Sequence, residues 1–195
     1  MVELHDSGTD TLRHVLGDVE RILIDRGRIA DRIESLGREI SADLAAVPGD
    51  VEVILIPILT GSIIFVADLI RHLPQKFRIS VLAAQSYPGR RTESVGVPVL
   101  GVVPDDLAGK FVLIVDDILD SGGTISRIRA ELEQHNPRAV RVCVLLRKQR
   151  ASALTTACDY VGFDIPDDFV VGYGLDYDGY YRNLPDIGVL KKEAL

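Results

Sequence analysis

Apolar residues along the chain fall into short blocks whose spacing changes from one block to the next. Ile29, Ile33, Leu36, Ile40 and Leu44 recur at intervals of 4, 3, 4 and 4, which is one stripe of an amphipathic helix. Pro48, Gly49 and Asp50 break that pattern. Residues 19–24 and 51–58 are strand-like runs on either side of it. Residues 61–73 read as a helix that is apolar on most sides, and residues 78–84 and 99–103 as further strands. The run from 111 to 115 is continuously apolar, as the centre of a parallel sheet requires. Ile125, Ile128 and Leu132 mark a helix that ends before Pro137, and residues 140–146 form the next strand. Strands alternating with helices predict an α/β fold with a mostly parallel sheet. Two stretches escape the pattern. Residues 86–98 hold Pro88, Gly89, Gly96 and Pro98 around a charged segment and read as a mobile loop. Residues 157–190 are rich in aromatics, Gly and Pro and read as short strands and loops, a lobe over the sheet.

Composition narrows the class. A chain of 195 residues with 47% hydrophobic content supports one compact domain without disulfides. Cys143 and Cys158 provide neither a disulfide framework nor a zinc spacing, and Cys143, inside an apolar run, is expected to be a buried thiol. The formal charge of −7 disfavours general binding to nucleic acid or anionic membrane. The first residues carry acids and no apolar core of a signal peptide, and the longest apolar runs are far too short to span a bilayer. The expectation is a cytoplasmic protein with no membrane and no nucleic-acid partner.

The strongest local signal is the run from Val112 to Thr124, VLIVDDILDSGGT. A buried strand ends in Asp116 and Asp117. A short loop carries Asp120, Ser121, Gly122, Gly123 and Thr124, and a helix follows. Glycines let backbone N–H groups approach a phosphate, and a helix N-terminus adds free donors and a favourable dipole. Ionised Asp116 and Asp117 only accept hydrogen bonds, which suits the vicinal hydroxyls of a ribose. Together they point to a ribose 5-phosphate ligand at the carboxyl end of the sheet. The lesser alternative is an ordinary strand-to-helix turn, with Asp120 or Ser121 as N-cap and the other acids solvated. Neither a Walker A motif nor a dinucleotide-binding glycine pattern is present.

This segment closely resembles the phosphoribosyl pyrophosphate signature of the type I phosphoribosyltransferases, with Asp116-Asp117 where Glu-Asp is common. Residues 159–177 and 181–185, together with Leu59-Thr-Gly-Ser62 and residues 65–71, resemble the hypoxanthine-guanine branch, and the likeness runs from about residue 18 to 191. The resemblance implies a single domain: a mostly parallel sheet flanked by helices (about residues 28–165) and a small hood from N- and C-terminal segments (about 10–27 and 166–195). It implies transfer of the phosphoribosyl group from phosphoribosyl pyrophosphate to hypoxanthine or guanine, giving IMP or GMP and pyrophosphate, with Mg²⁺, by a homodimer or homotetramer.

By the same resemblance Asp120 is the catalytic partner of purine N7, and Asp116, Asp117 and residues 120–124 bind the phosphoribosyl group. Thr60, Gly61 and Arg182 bind pyrophosphate. Lys148, Phe169 and Val170 bind the purine, Lys148 donating to the 6-oxo group and Phe169 stacking. Asp176 approaches Mg²⁺, with Asp116 and Asp117 acting on it indirectly through the ribose hydroxyls. Ser86 and Tyr87 belong to a closing lid. The Thr60–Gly61 peptide, Lys-Gly in many relatives, is expected to be cis or to become so with pyrophosphate. Without the resemblance, Phe169 has a core aromatic as its alternative reading, while Lys148 reads first as a solvated strand end and Asp176 and Arg182 first as surface charges. Two rivals are a xanthine-preferring enzyme and a regulatory RNA-binding protein on the same fold, the latter prompted by the basic cluster Arg138, Arg141, Arg147, Lys148 and Arg150.

Overall fold

The computed structural model describes residues 17–84, 99–100 and 103–194, with backbone alone at 83, 84, 99 and 100. The lid assigned to Ser86 and Tyr87 therefore lies outside the described residues. The elements in chain order are β1 (Val19–Ile24), α1 (Arg26–Ala45), β2 (Val53–Leu59), α2 (Ile63–Leu69), β3 (Arg78–Ile79), β4 (Leu82–Ala84), β5 (Val99–Leu100), β6 (Phe111–Leu119), α3 (Gly123–Glu133), β7 (Ala139–Lys148), α4 (Ala151–Thr155), β8 (Tyr160–Ile165), β9 (Val170–Val171) and β10 (Ile187–Leu190).

The main sheet runs β5-β4-β2-β6-β7-β8, with β3 beside β2. Strands β4, β2, β6, β7 and β8 are parallel, and β5 joins the edge antiparallel. Because side chains alternate along a strand, neighbours in β2 and β6 go to opposite layers. Leu55, Leu113 and Val115 face the layer holding the α1 stripe Ile29, Ile33, Leu36, Ile40 and Leu44. Ile54, Ile56, Val112 and Ile114 face Ile125, Ile128 and Leu132 of α3. Helix α1 starts where the Asp25 side chain accepts from the Arg28 N–H at 3.0 Å, a normal N-cap. Cys143 is fully enclosed in the first layer, and burial pushes its thiol well above the ordinary range. Among the described residues no helix is long and apolar enough to cross a membrane.

Several boundaries differ from the sequence reading. The strand expected at 78–84 is two short strands, each paired parallel with β2 in one register, Leu55 with Ile79 and Ile58 with Leu82. The helix expected at 61–73 begins at Ile63 and tightens to a 3-10 turn at Ile70–His72. Strand β6 continues past its apolar run to Leu119, since β7 still offers partners: Asp116 pairs with Val144 and Leu119 with Arg147. The stretch from 157 does not all form a separate lobe, for β8 closes the main sheet against β7. Only β9 and β10 leave it, joining β1 in a three-stranded antiparallel sheet ordered β1-β10-β9.

Candidate active site

Strand β6 carries Asp116 and Asp117 to the carboxyl edge of the sheet. Asp116 is only 7% exposed. Its Oδ1 accepts from the Asp117 N–H at 3.0 Å, and Asp117 Oδ1 accepts from the Ile118 N–H at 2.8 Å. Burial pushes Asp116 well above the ordinary carboxylate range, and neighbouring Asp117 pushes it further. Burial also raises Asp117, while hydrogen bonds from Asp116 and the backbone, and the charge of Arg182, hold it back. Among the described residues neither acid has a salt bridge. A buried acid with a raised pKa costs stability as pH climbs from about 4, the unfolded aspartate value, through the shifted value. Asp116→Asn keeps the acceptor and removes the charge. It should flatten that decline and raise the melting temperature of the ligand-free chain at mildly alkaline pH, by about 2–4 °C per kcal/mol recovered. Melting profiles of the two chains that coincide across pH would contradict this.

After Leu119 the chain turns through Asp120 and Ser121 into α3. The N-cap is Gly122, at φ +84°, and no side chain caps the helix. The alternative in which Asp120 or Ser121 caps it is therefore not adopted, so no side-chain oxygen caps the first-turn N–H groups of α3. A Cβ on Gly122 would lie 1.9 Å from Thr156 Oγ1, so only glycine fits. Ser121 and Thr124 are half-exposed beside it.

A second cluster forms where β2 ends. Ser62 is fully buried and its Oγ donates to Ile58 O at 2.6 Å, pinning the loop. Gly61 lies against the acid pair, since a Cβ there would fall 1.8 Å from Asp117 Oδ2. Gly174, at φ +100°, lies against Gly61 in turn, for its Cβ would meet Gly61 O at 2.2 Å. Arg182 donates from Nη1 to Gly174 O at 2.7 Å and pairs through Nη2 with Asp176 Oδ1 at 2.8 Å. Asp176 Oδ2 accepts from the Gly179 N–H at 2.8 Å. Thr60, Gly61, Asp117, Asp176 and Arg182 thus share one edge. The expected cis bond at Thr60–Gly61 is corrected: the cis peptide is Leu59–Thr60. Leu59 still pairs with Ala83 in the sheet, so the chain turns away directly after it, and Gly61 is already seated against Asp117.

The third cluster holds Lys148, the last residue of β7, only 7% exposed. Its Nζ donates to Asp120 Oδ2 at 3.1 Å and lies 3.4 Å from Asp167 Oδ1. Arg150 reaches the same two acids, with Nη1 2.8 Å from Asp120 Oδ1 and Nη2 2.5 Å from Asp167. Although that first distance makes an ion pair, the N–H does not point along it, and Asp120 Oδ1 is enclosed without a hydrogen bond. Beyond Asp167, Phe169 is half-buried and meets Tyr177 edge to face at 5.4 Å, and Val170 is buried in β9. Sequence reasoning missed Asp167 and the role of Arg150, whose partners are distant in the chain. The basic cluster is largely neutralised: Arg141 pairs with Asp159 and Arg147 with Asp164, each at 2.7 Å. The second pair is legible once β7 and β8 are aligned, for Arg147 stands opposite Asp164.

Among the described residues no group of three or more His, Cys, Asp or Glu could hold a metal unaided. Half-buried Asp176 and Asp117 and buried Asp116, short of positive charge, are hard oxygen donors. They suit a divalent cation that takes one or two carboxylates and completes its shell with water and phosphate.

A phosphoribosyl transferase domain model matches residues 24–178. The chain belongs to the phosphoribosyltransferase family. Its fold is that of the type I phosphoribosyltransferases, the five parallel strands beside a small antiparallel sheet. The chain is 45% identical over 177 residues to a hypoxanthine-guanine phosphoribosyltransferase of Mycobacterium avium, covering 89% of this chain and 87% of that protein. It is 38% identical to the hypoxanthine phosphoribosyltransferase of Escherichia coli K12, covering 86% and 93%. Among solved structures, a hypoxanthine phosphoribosyltransferase from Staphylococcus aureus superposes with a TM-score of 0.82 at 32% identity, covering 92% and 96%. A Trypanosoma cruzi hypoxanthine phosphoribosyltransferase variant, complexed with the product IMP, gives 0.81 at 34%, covering 91% and 93%. In this phosphoribosyltransferase the three clusters lie around the carboxyl ends of β2, β6 and β7, where ligands bind in open α/β sheets.

Proposed function

We propose that this phosphoribosyltransferase serves purine salvage, moving the 5-phosphoribosyl group of phosphoribosyl pyrophosphate to N9 of hypoxanthine or guanine and releasing pyrophosphate with IMP or GMP. The observation that carries this reading is the pairing of Lys148 with Asp120. It sets a donor-only side chain beside a half-exposed carboxylate whose Oδ2, the oxygen that meets Lys148, can also accept from a ligand. A 6-oxopurine presents the matching pair on one edge, an oxygen at C6 and a proton on N7. Adenine offers an amino donor where Lys148 needs an acceptor.

Each cluster takes one part of the substrates. Uncapped α3 N–H groups, with Ser121 and Thr124, hold the 5-phosphate. Asp116 and Asp117 accept from the ribose hydroxyls. The Thr60–Gly61 backbone and Arg182 hold the pyrophosphate. Phe169 offers a flat apolar ring to the purine, and the backbone of Val170 meets its edge. As the bond from the anomeric carbon to pyrophosphate lengthens, the sugar gains oxocarbenium character, as in glycoside hydrolysis. Arg182 stabilises charge on the leaving group. Asp120 holds or accepts the N7 proton while N9 attacks. Asp176 would hold Mg²⁺, with Asp116 and Asp117 acting on it indirectly, and the chemistry it would supply is neutralisation of leaving-group charge. The reading extends to a cytoplasmic enzyme that works as a homodimer or homotetramer, as the family resemblance implies.

The test is steady-state turnover of four bases with phosphoribosyl pyrophosphate and Mg²⁺. Hypoxanthine and guanine should be used well and adenine at least 10²-fold worse, the discrimination expected when a buried donor is left facing a donor. Preferred use of xanthine would shift the reading to a xanthine enzyme, and preferred use of adenine would overturn it.

A further inference from the structure

We propose that Arg150 is a positioning residue that ties the phosphate loop to the purine-facing turn and frees Lys148 to engage the base; this rests on the purine-transfer reading above. Arg150 sits in the short connection between β7 and α4. Its backbone is held on both sides, the N–H donating to Lys148 O at 2.8 Å and the C=O accepting from Leu154 N–H at 3.0 Å. From that anchor the guanidinium spans two carboxylates on different connections: Asp120 after β6, and Asp167 after β8, two residues before Phe169. One planar fork thus joins the chain segments that follow three adjacent strands, β6, β7 and β8.

Lys148 touches the same two acids, so the cluster holds two cations and two carboxylates. An ammonium has three donors. With Asp120 and Asp167 both engaged, one remains. Arg150 is the closer partner of Asp167, at 2.5 Å against 3.4 Å for Lys148. Lys148 can therefore leave Asp167 for a 6-oxo group without stranding a carboxylate. Nor does Arg150 occupy the acceptor that N7–H needs, because it covers Asp120 Oδ1 and leaves Oδ2 as the oxygen open to the base. It supplies charge and spacing, not a competing bond. Without Arg150, Lys148 is the sole cation of two carboxylates and is drawn away from the base.

The test uses the full chain with Arg150→Gln and Arg150→Lys. Arg150→Gln should lower kcat/KM for hypoxanthine roughly tenfold to a hundredfold, as expected for a misplaced reacting edge, chiefly through KM. KM for phosphoribosyl pyrophosphate should stay within about twofold of the wild type, since the phosphate groups are untouched. Arg150→Lys keeps the charge and loses the fork, and should recover part of the purine KM. Equal change for both substrates, no change for either, or a Lys variant no better than Gln would overturn the proposal. Should Arg150→Gln melt early, Asp167→Asn probes the other end of the strut: a purine-selective rise in KM supports the proposal and an unchanged one overturns it. A wild-type chain without hypoxanthine activity would refute the function itself, whereas an active wild type with unaltered variants defeats only the role of Arg150.

Discussion

Asp120→Asn should lower turnover by roughly 10²–10⁴-fold, the range typical of general acid–base groups. The substitution keeps the shape of the side chain and can keep the 3.1 Å bond from Lys148 through the amide oxygen. What it removes is the second acceptor. Asp120 Oδ1, enclosed beside the Arg150 guanidinium, becomes an amide NH₂ that only donates. That group would face the Arg150 guanidinium, 2.8 Å away, or, with the amide flipped, the N7 proton. Phosphoribosyl pyrophosphate should bind nearly as before, because Asp116, Asp117 and the first turn of α3 are unchanged. Pre-steady-state turnover together with phosphoribosyl pyrophosphate binding by calorimetry separates the two effects. Near wild-type turnover would remove Asp120 from the chemistry.

Lys148→Ala should be nearly as severe, and specific to the base. Lys148 is buried at the end of β7 and paired with two carboxylates. Truncation leaves the purine oxygen without its donor and leaves Arg150 as the sole cation of Asp120 and Asp167. Removing one member of a buried, hydrogen-bonded charge pair costs about 2–5 kcal/mol. At 1.4 kcal/mol per factor of ten, that is roughly 30-fold to several thousandfold in kcat/KM for hypoxanthine and guanine. The KM for phosphoribosyl pyrophosphate should move little. Equal weakening of both substrates would mean that Lys148 supports the fold or the phosphates rather than the base.

The parts of the site that could be read from sequence are those written in consecutive residues. An apolar run, two acids, a third acid, then Ser-Gly-Gly-Thr and a helix declare a phosphate loop, because backbone conformation and anion binding are both local. The α1 stripe was legible for the same reason, its five apolar positions all being buried. What stayed hidden depends on strand order. Lys148 and Asp120 are 28 positions apart, and meet because β6 and β7 are neighbours in the sheet. Arg150 and Asp167, 17 apart, meet because β8 follows on the far side of β7. Arg150 therefore read as one of several surface charges, and Asp167 was not singled out. Cross-strand pairing also drew β8 into the main sheet although it opens a stretch rich in aromatics, Gly and Pro. The helix α4 has five residues, too few for any periodicity to appear. The position of the cis peptide was set one residue off, because the point where β2 leaves the sheet depends on its partner β4.

The most direct measurement of the central claim is product identification. The purified chain is incubated with phosphoribosyl pyrophosphate, hypoxanthine and Mg²⁺, and the products are followed by chromatography and phosphorus NMR. The account predicts IMP, joined at N9, and pyrophosphate in equal amounts, with hypoxanthine consumed one for one. Pyrophosphate released without nucleotide, or phosphoribosyl pyrophosphate left intact while adenine is converted in a parallel reaction, would contradict it.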